Sequence, residues 1–131
     1  MIKHIQNSMV CLALITMVVT TSGCIPLLVG AAAGAGGVAY VRGNLEKNFE
    51  EPVDDVHKAT LAALKNMDIF VTQDELNRHD AVIKGEYSDG EAVDIKINAL
   101  TEKTSKVKVR IGVFGDELKS QSIMNAISSK L

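Results

Sequence analysis

The sequence predicts an α+β fold: a small two-layer sandwich with a mainly antiparallel sheet of four to five strands and two helices on one face. Three observations predict it. Two neighbouring runs alternate apolar with polar residues. Val93, Ile95, Ile97 and Ala99 alternate with Asp94, Lys96 and Asn98, and Val107, Val109, Ile111 and Val113 with Lys106, Lys108 and Arg110. That period of two belongs to half-buried strands. Two other stretches, near 53–67 and 123–131, repeat apolar residues at helical spacing. Strands that are apolar on one side only need helices on that side alone, which makes two layers.

The expected order is β-α-β-β-β-β-α. Residues 40–46 form a first strand. A helix begins near Pro52, a residue tolerated in the first helical turn, with Glu50, Glu51, Asp54 and Asp55 crowding its positive end. Val53, Val56, Thr60, Ala63, Leu64 and Met67 make its apolar face. Ile69–Thr72 is rich in β-forming residues, 81–87 reads as a further strand, and Ser88-Asp89-Gly90 signals a hairpin turn. The two alternating strands follow, separated by a polar turn at Thr101–Ser105. Gly115-Asp116 ends the second, and Asp116 caps a last helix whose apolar positions are Ile123, Met124, Ala126, Ile127 and Leu131.

Composition bounds the function. The chain has 131 residues with 14 Lys+Arg against 16 Asp+Glu, a net charge of −2, so it lacks the basic excess of a nucleic-acid binder. With no Trp, 2 Tyr and 3 Phe, its core must be aliphatic. The length allows one globular domain, at 40–131.

The N-terminus reads as an export signal. Lys3 and His4 precede an apolar run, Met9–Val19, and then Thr20-Thr21-Ser22-Gly23-Cys24. The run is too short to cross a bilayer and has the length of a signal h-region. Thr21-Ser22-Gly23-Cys24 resembles the bacterial lipobox, with Thr21 where Leu is commonest. The resemblance implies cleavage between Gly23 and Cys24, thioether diacylation of Cys24 and N-acylation of the new terminus. Residues 1–23 are then a lipoprotein signal peptide, and Cys11 is discarded with it, leaving no thiol pair for a bridge. Ile25, rather than Asp, follows the lipidated position and implies the outer membrane, facing the periplasm.

Residues 24–39 form a Gly/Ala-rich neck without charge. Gly30, Gly34 and Gly37 would share one face if it were helical, allowing oligomerisation or a dip into the membrane. Its glycines weaken a helix, and a flexible apolar tether is the preferred reading. Gly34-Ala35-Gly36-Gly37-Val38-Ala39 satisfies a dinucleotide fingerprint by composition only, because no βαβ unit surrounds it.

The whole mature chain resembles a family of short bacterial lipoproteins built on a domain of unknown function. The resemblance rests on Cys24-Ile25-Pro26-Leu27, the Gly/Ala neck, Tyr40-Val41-Arg42-Gly43, Ala59-Thr60-Leu61-Ala62-Ala63-Leu64, Gly112-Val113-Phe114-Gly115-Asp116-Glu117, Ser120 and Ser122-Ile123. It implies no activity and transfers no catalytic residue.

No chemistry-bearing constellation emerges from the residues. His57 and His79 lack the spacing of zinc ligands. Ser120, Ser122, Ser128 and Ser129 sit in no nucleophile elbow, and Asp89, Glu91 and Asp94 lack the order of a calcium loop. The expectation is therefore no enzyme, cofactor or metal. Lys103, Lys106, Lys108 and Arg110 are the one basic run. It reads as a solvated sheet face or, alternatively, as a patch for phospholipid headgroups. The leading functional expectation is a lipid-anchored, non-enzymatic interaction or structural module that docks an envelope protein partner or a larger assembly through its sheet face or an edge strand. The alternative is a small-ligand or lipid-binding domain with a cleft between helices and sheet.

Overall fold

The computed structural model describes residues 37–131. Gly23, Cys24, the expected signal peptide and the neck through residue 36 lie outside the described residues. The elements run β1 (Val38–Val41), β2 (Asn44–Phe49), α1 (Val53–Asn66), β3 (Phe70–Leu76), β4 (Asp80–Glu86), β5 (Ala92–Ala99), β6 (Ser105–Ile111) and α2 (Glu117–Ser128). The six strands form one sheet in the order β1-β2-β6-β5-β4-β3, with every neighbouring pair antiparallel.

The α+β class holds, but the sheet has six strands rather than four to five. The extra strand comes from residues 40–46, which the sequence reads as one strand and which contain a tight hairpin. Arg42 and Gly43 both take positive φ, 51° and 81°, so two residues reverse the chain between β1 and β2. That conformation matches the right-handed twist of the flanking strands. The usual Asn-Gly or Asp-Gly signal is absent because Arg occupies the first position. A second correction concerns Val113. Gly112 takes φ 68° and breaks the alternation, so β6 ends at Ile111 and Val113 lies exposed in the following loop.

One sheet face is aliphatic and covered. α1 packs over β3, β4 and β5, α2 packs over β6 and β2, and the helices touch each other. Ile83, Ile95, Ile97, Val107, Val109 and Ile111 of the sheet meet Val56, Ala63 and Leu64 of α1 and Ile123, Met124 and Ile127 of α2, all buried. The expected helical positions therefore hold, except that Leu131 is exposed. α1 starts directly after Pro52, whose carbonyl accepts from Asp55 and Val56. It ends where Asp68 takes φ 55° and Ile69 N–H donates back to the Leu64 carbonyl at 3.0 Å. As expected, Asp116 caps α2, its side chain accepting from Lys119 N–H at 3.0 Å.

The β1–β2 turn is clamped against the β6–α2 loop backbone to backbone. A Cβ on Gly115 would lie 2.4 Å from the Gly43 carbonyl oxygen, and Gly115 already takes φ 86°. Gly115→Ala should therefore cost about 2 kcal/mol or more of stability. Asp68→Gly should instead stabilise by about 0.5–1 kcal/mol, because glycine adopts the left-handed helix-ending conformation without strain. Urea unfolding of the two variants should move the midpoint in opposite directions.

Candidate functional site

The face of the sheet turned away from the helices is polar. Along β4, β5 and β6 the buried aliphatic residues alternate with Asp80, Val82, Lys84 and Glu86, with Asp94, Lys96 and Asn98, and with Lys106, Lys108 and Arg110. Register then decides which of these become neighbours. Lys96 lies directly opposite Lys108, and Asp94 lies between Arg110 on one side and Lys84 on the other. Glu46 of β2 lies opposite Lys108 and pairs with both Lys108, at 3.1 Å, and Lys106, at 3.8 Å. The Arg110 guanidinium donates to the Val113 carbonyl. Asn44, Lys84, Asp94, Lys96, Asn98, Lys108 and Arg110 line a shallow concavity on this face.

The cations are concentrated on β6, β5 and the adjoining part of β4, whereas Glu75, Asp80 and Glu86 gather toward the β3 edge. Among the described residues no carboxylate lies within ion-pairing distance of Lys84 or Lys96. A directly opposed pair of like charges lowers sheet stability. Glu46 offsets the charge on Lys108, so the electrostatic cost of this opposition rests on Lys96.

Sequence reading finds this face in part. Lys106, Lys108 and Arg110 are on it, but Lys103 is not. Lys103 belongs to the β5–β6 turn, where its N–H donates to Thr101 Oγ1. Lys84 and Lys96 were missed as members of one group. Their alternation phase is readable in the sequence, but their meeting with β6 depends on register.

The other residues singled out do not converge. His57 is buried on α1 and its Nε2 lies 2.6 Å from Asp74 Oδ1 on β3, so it ties the helix to the sheet edge. His79 is exposed in the β3–β4 turn. Ser122, Ser128 and Ser129 donate to backbone carbonyls of α2. Ser120 is buried and its hydroxyl has no protein partner. Among the described residues no three His, Cys, Asp or Glu side chains come together as a metal-binding group, and no helix is long and apolar enough to cross a membrane.

At the end of the domain that carries the β1–β2 turn, large apolar side chains stand in solvent. Phe114 is 92% exposed, Val113 and Leu118 each 78%, and Val41 beside the turn 49%. On the helix side of this end, Lys119 bridges to Glu91 and lies over the Tyr87 ring at 5.3 Å.

A family model described as "Protein of unknown function (DUF3568)" matches residues 8–130. The chain belongs to the DUF3568 family. The match covers the whole α+β domain and agrees with the resemblance to a domain of unknown function. No curated protein matches the sequence. The family description assigns no activity to the open face of this DUF3568 domain.

Two predictions follow from the charges. Lys96→Glu replaces a repulsion across the ladder with an attraction, so thermal stability should rise by about 0.5 kcal/mol at low salt. The gain should shrink in concentrated salt, where exposed charges are screened. Tyr87 and Lys119 both hold their protons more tightly in the folded state. Burial raises the Tyr87 hydroxyl above its ordinary 10.0, with the Lys119 charge opposing. The hydrogen bond to Glu91 raises Lys119 above 10.5. The stability they contribute is complete below these values and is lost as pH rises through the folded ones. Unfolding midpoints should therefore fall in the alkaline range, and Tyr87→Phe with Lys119→Met should flatten that decline.

Proposed function

We propose that the chain is a lipid-anchored lipoprotein of the bacterial cell envelope that works by binding rather than by chemistry. Acyl chains on Cys24 hold it on the periplasmic face of the outer membrane. A single acyl chain anchors only marginally and two or three anchor durably, so modification of Cys24 is what keeps the domain there. The domain then docks an envelope protein partner through the open sheet face or through a free edge strand, β1 or β3.

The observation that carries this reading is the filled space beneath the helices. Val56, Leu64, Ile95, Val109, Ile111 and Ile127 are each at most 1% exposed, so the helix–sheet interface is occupied by the protein's own side chains. A ligand cleft there finds no support. The outer face of the sheet and its edges stay open for recognition. β3 favours the edge mode: all but one of its residues are exposed, and an extended partner could hydrogen-bond to its free side.

Intact mass of the protein extracted from membranes, beside Cys24→Ala, tests the anchor. The expected mass is that of residues 24–131 plus acyl groups, and the variant should lose it. A full-length unmodified mass, or normal membrane partitioning and function of Cys24→Ala, overturns the reading. Crosslinking of the acylated protein in whole cells should then yield a discrete envelope partner.

A further inference from the structure

We propose that the cationic half of the open sheet face, together with the apolar tip at Phe114, forms a second membrane contact that seats the domain on an anionic lipid surface. The tip is built by the clamp between the β1–β2 turn and the β6–α2 loop, which brings Gly43 against the backbone of Phe114 and Gly115. It presents Phe114, Val113 and Val41 to solvent. The tip is continuous with the basic face through Arg110, whose guanidinium holds the Val113 carbonyl. Behind Arg110 follow Lys108, Lys96 and Lys84, with Asp94 the one carboxylate lining the same concavity.

Apolar side chains projecting beside a field of cations match the boundary between acyl chains and phosphate headgroups. The phenyl ring enters the apolar layer while ammonium and guanidinium groups stay at the phosphates. A ring so exposed has no use inside the domain, whose core is complete without it. Of the acids at this end, Glu91 holds Lys119 and Asp116 caps α2, while Glu86, Asp89 and Glu117 stay exposed. Lys96, opposite Lys108 in the ladder, also gains a partner, since a phosphate oxygen there would supply the counter-charge that Glu46 supplies to Lys108.

The inference rests on the lipid-anchored reading only for the nearness of the membrane. Thirteen residues separate Cys24 from Val38. At up to about 3.5 Å each they allow the tip to reach the surface that holds the acyl chains. Tethering raises the local concentration of lipid, so a contact too weak to recruit the domain alone still orients it.

The chain has no Trp, so a single introduced indole reports its own surroundings. Phe114→Trp and Leu100→Trp are made separately in the full chain, both at exposed positions and at opposite ends of the sheet. Each is reconstituted into phosphatidylcholine vesicles with or without roughly one quarter phosphatidylglycerol. In the anionic vesicles Phe114→Trp should show blue-shifted emission and quenching by brominated acyl chains at least about twofold above Leu100→Trp. Adding Lys96→Glu and Lys108→Glu, or raising salt, should reduce that difference. Equal quenching at the two positions, or emission of a solvated indole at both, overturns the proposal. Shielding that requires an added envelope protein also overturns it and makes the tip a protein contact. The acylation state is read separately by mass, so a missing anchor is distinguishable from a tip that avoids lipid.

Discussion

Everything in this domain depends on the sealing of one face of the sheet by two helices. β4, β5 and β6 carry a mainly aliphatic set on that face, and α1 and α2 supply the matching surface. Burial of apolar area on this one side is the main favourable term for so small a domain. It forces the other side to be polar, because among the described residues no third layer covers it. The open face is thus a consequence of the core as much as a feature in its own right.

That one-sidedness shapes the functional reading. A core filled by Val, Ile and Leu leaves recognition to surfaces, and the surfaces differ in chemistry. The β3 edge is acidic and has a free backbone, the β5–β6 region is basic, and the Phe114 tip is apolar. His57 and Asp74 are paired closely and bind α1 to the edge strand. The two glycines at the turn–loop clamp have a role that side chains would prevent. Only bare backbone lets the hairpin and the loop approach closely enough to build the tip.

Particular elements show how much of this could be read from residues alone. β5 and β6 were legible because their alternation is strict over seven or eight positions. α1 and α2 were legible because apolar spacing, acidic first turns and the Asp116 cap agree. The β1–β2 hairpin was hidden because Arg42 adopts a left-handed conformation that its residue type does not advertise. Val113 was misplaced because the alternating pattern continues through Gly112 while the backbone does not.

The sequence by itself determined the α+β class, the aliphatic core and both helices, because each follows from local pattern and composition. It also carries the lipobox-like stretch ending at Cys24, the basis for reading the chain as anchored. Tertiary structure alone decided that Lys84, Lys96, Lys108 and Arg110 share one field and that Phe114 stands beside it. The physical reason is register. Cross-strand neighbours are set by the hydrogen-bonded pairing of one strand with the next, and no periodicity within a single strand encodes which of their residues will meet.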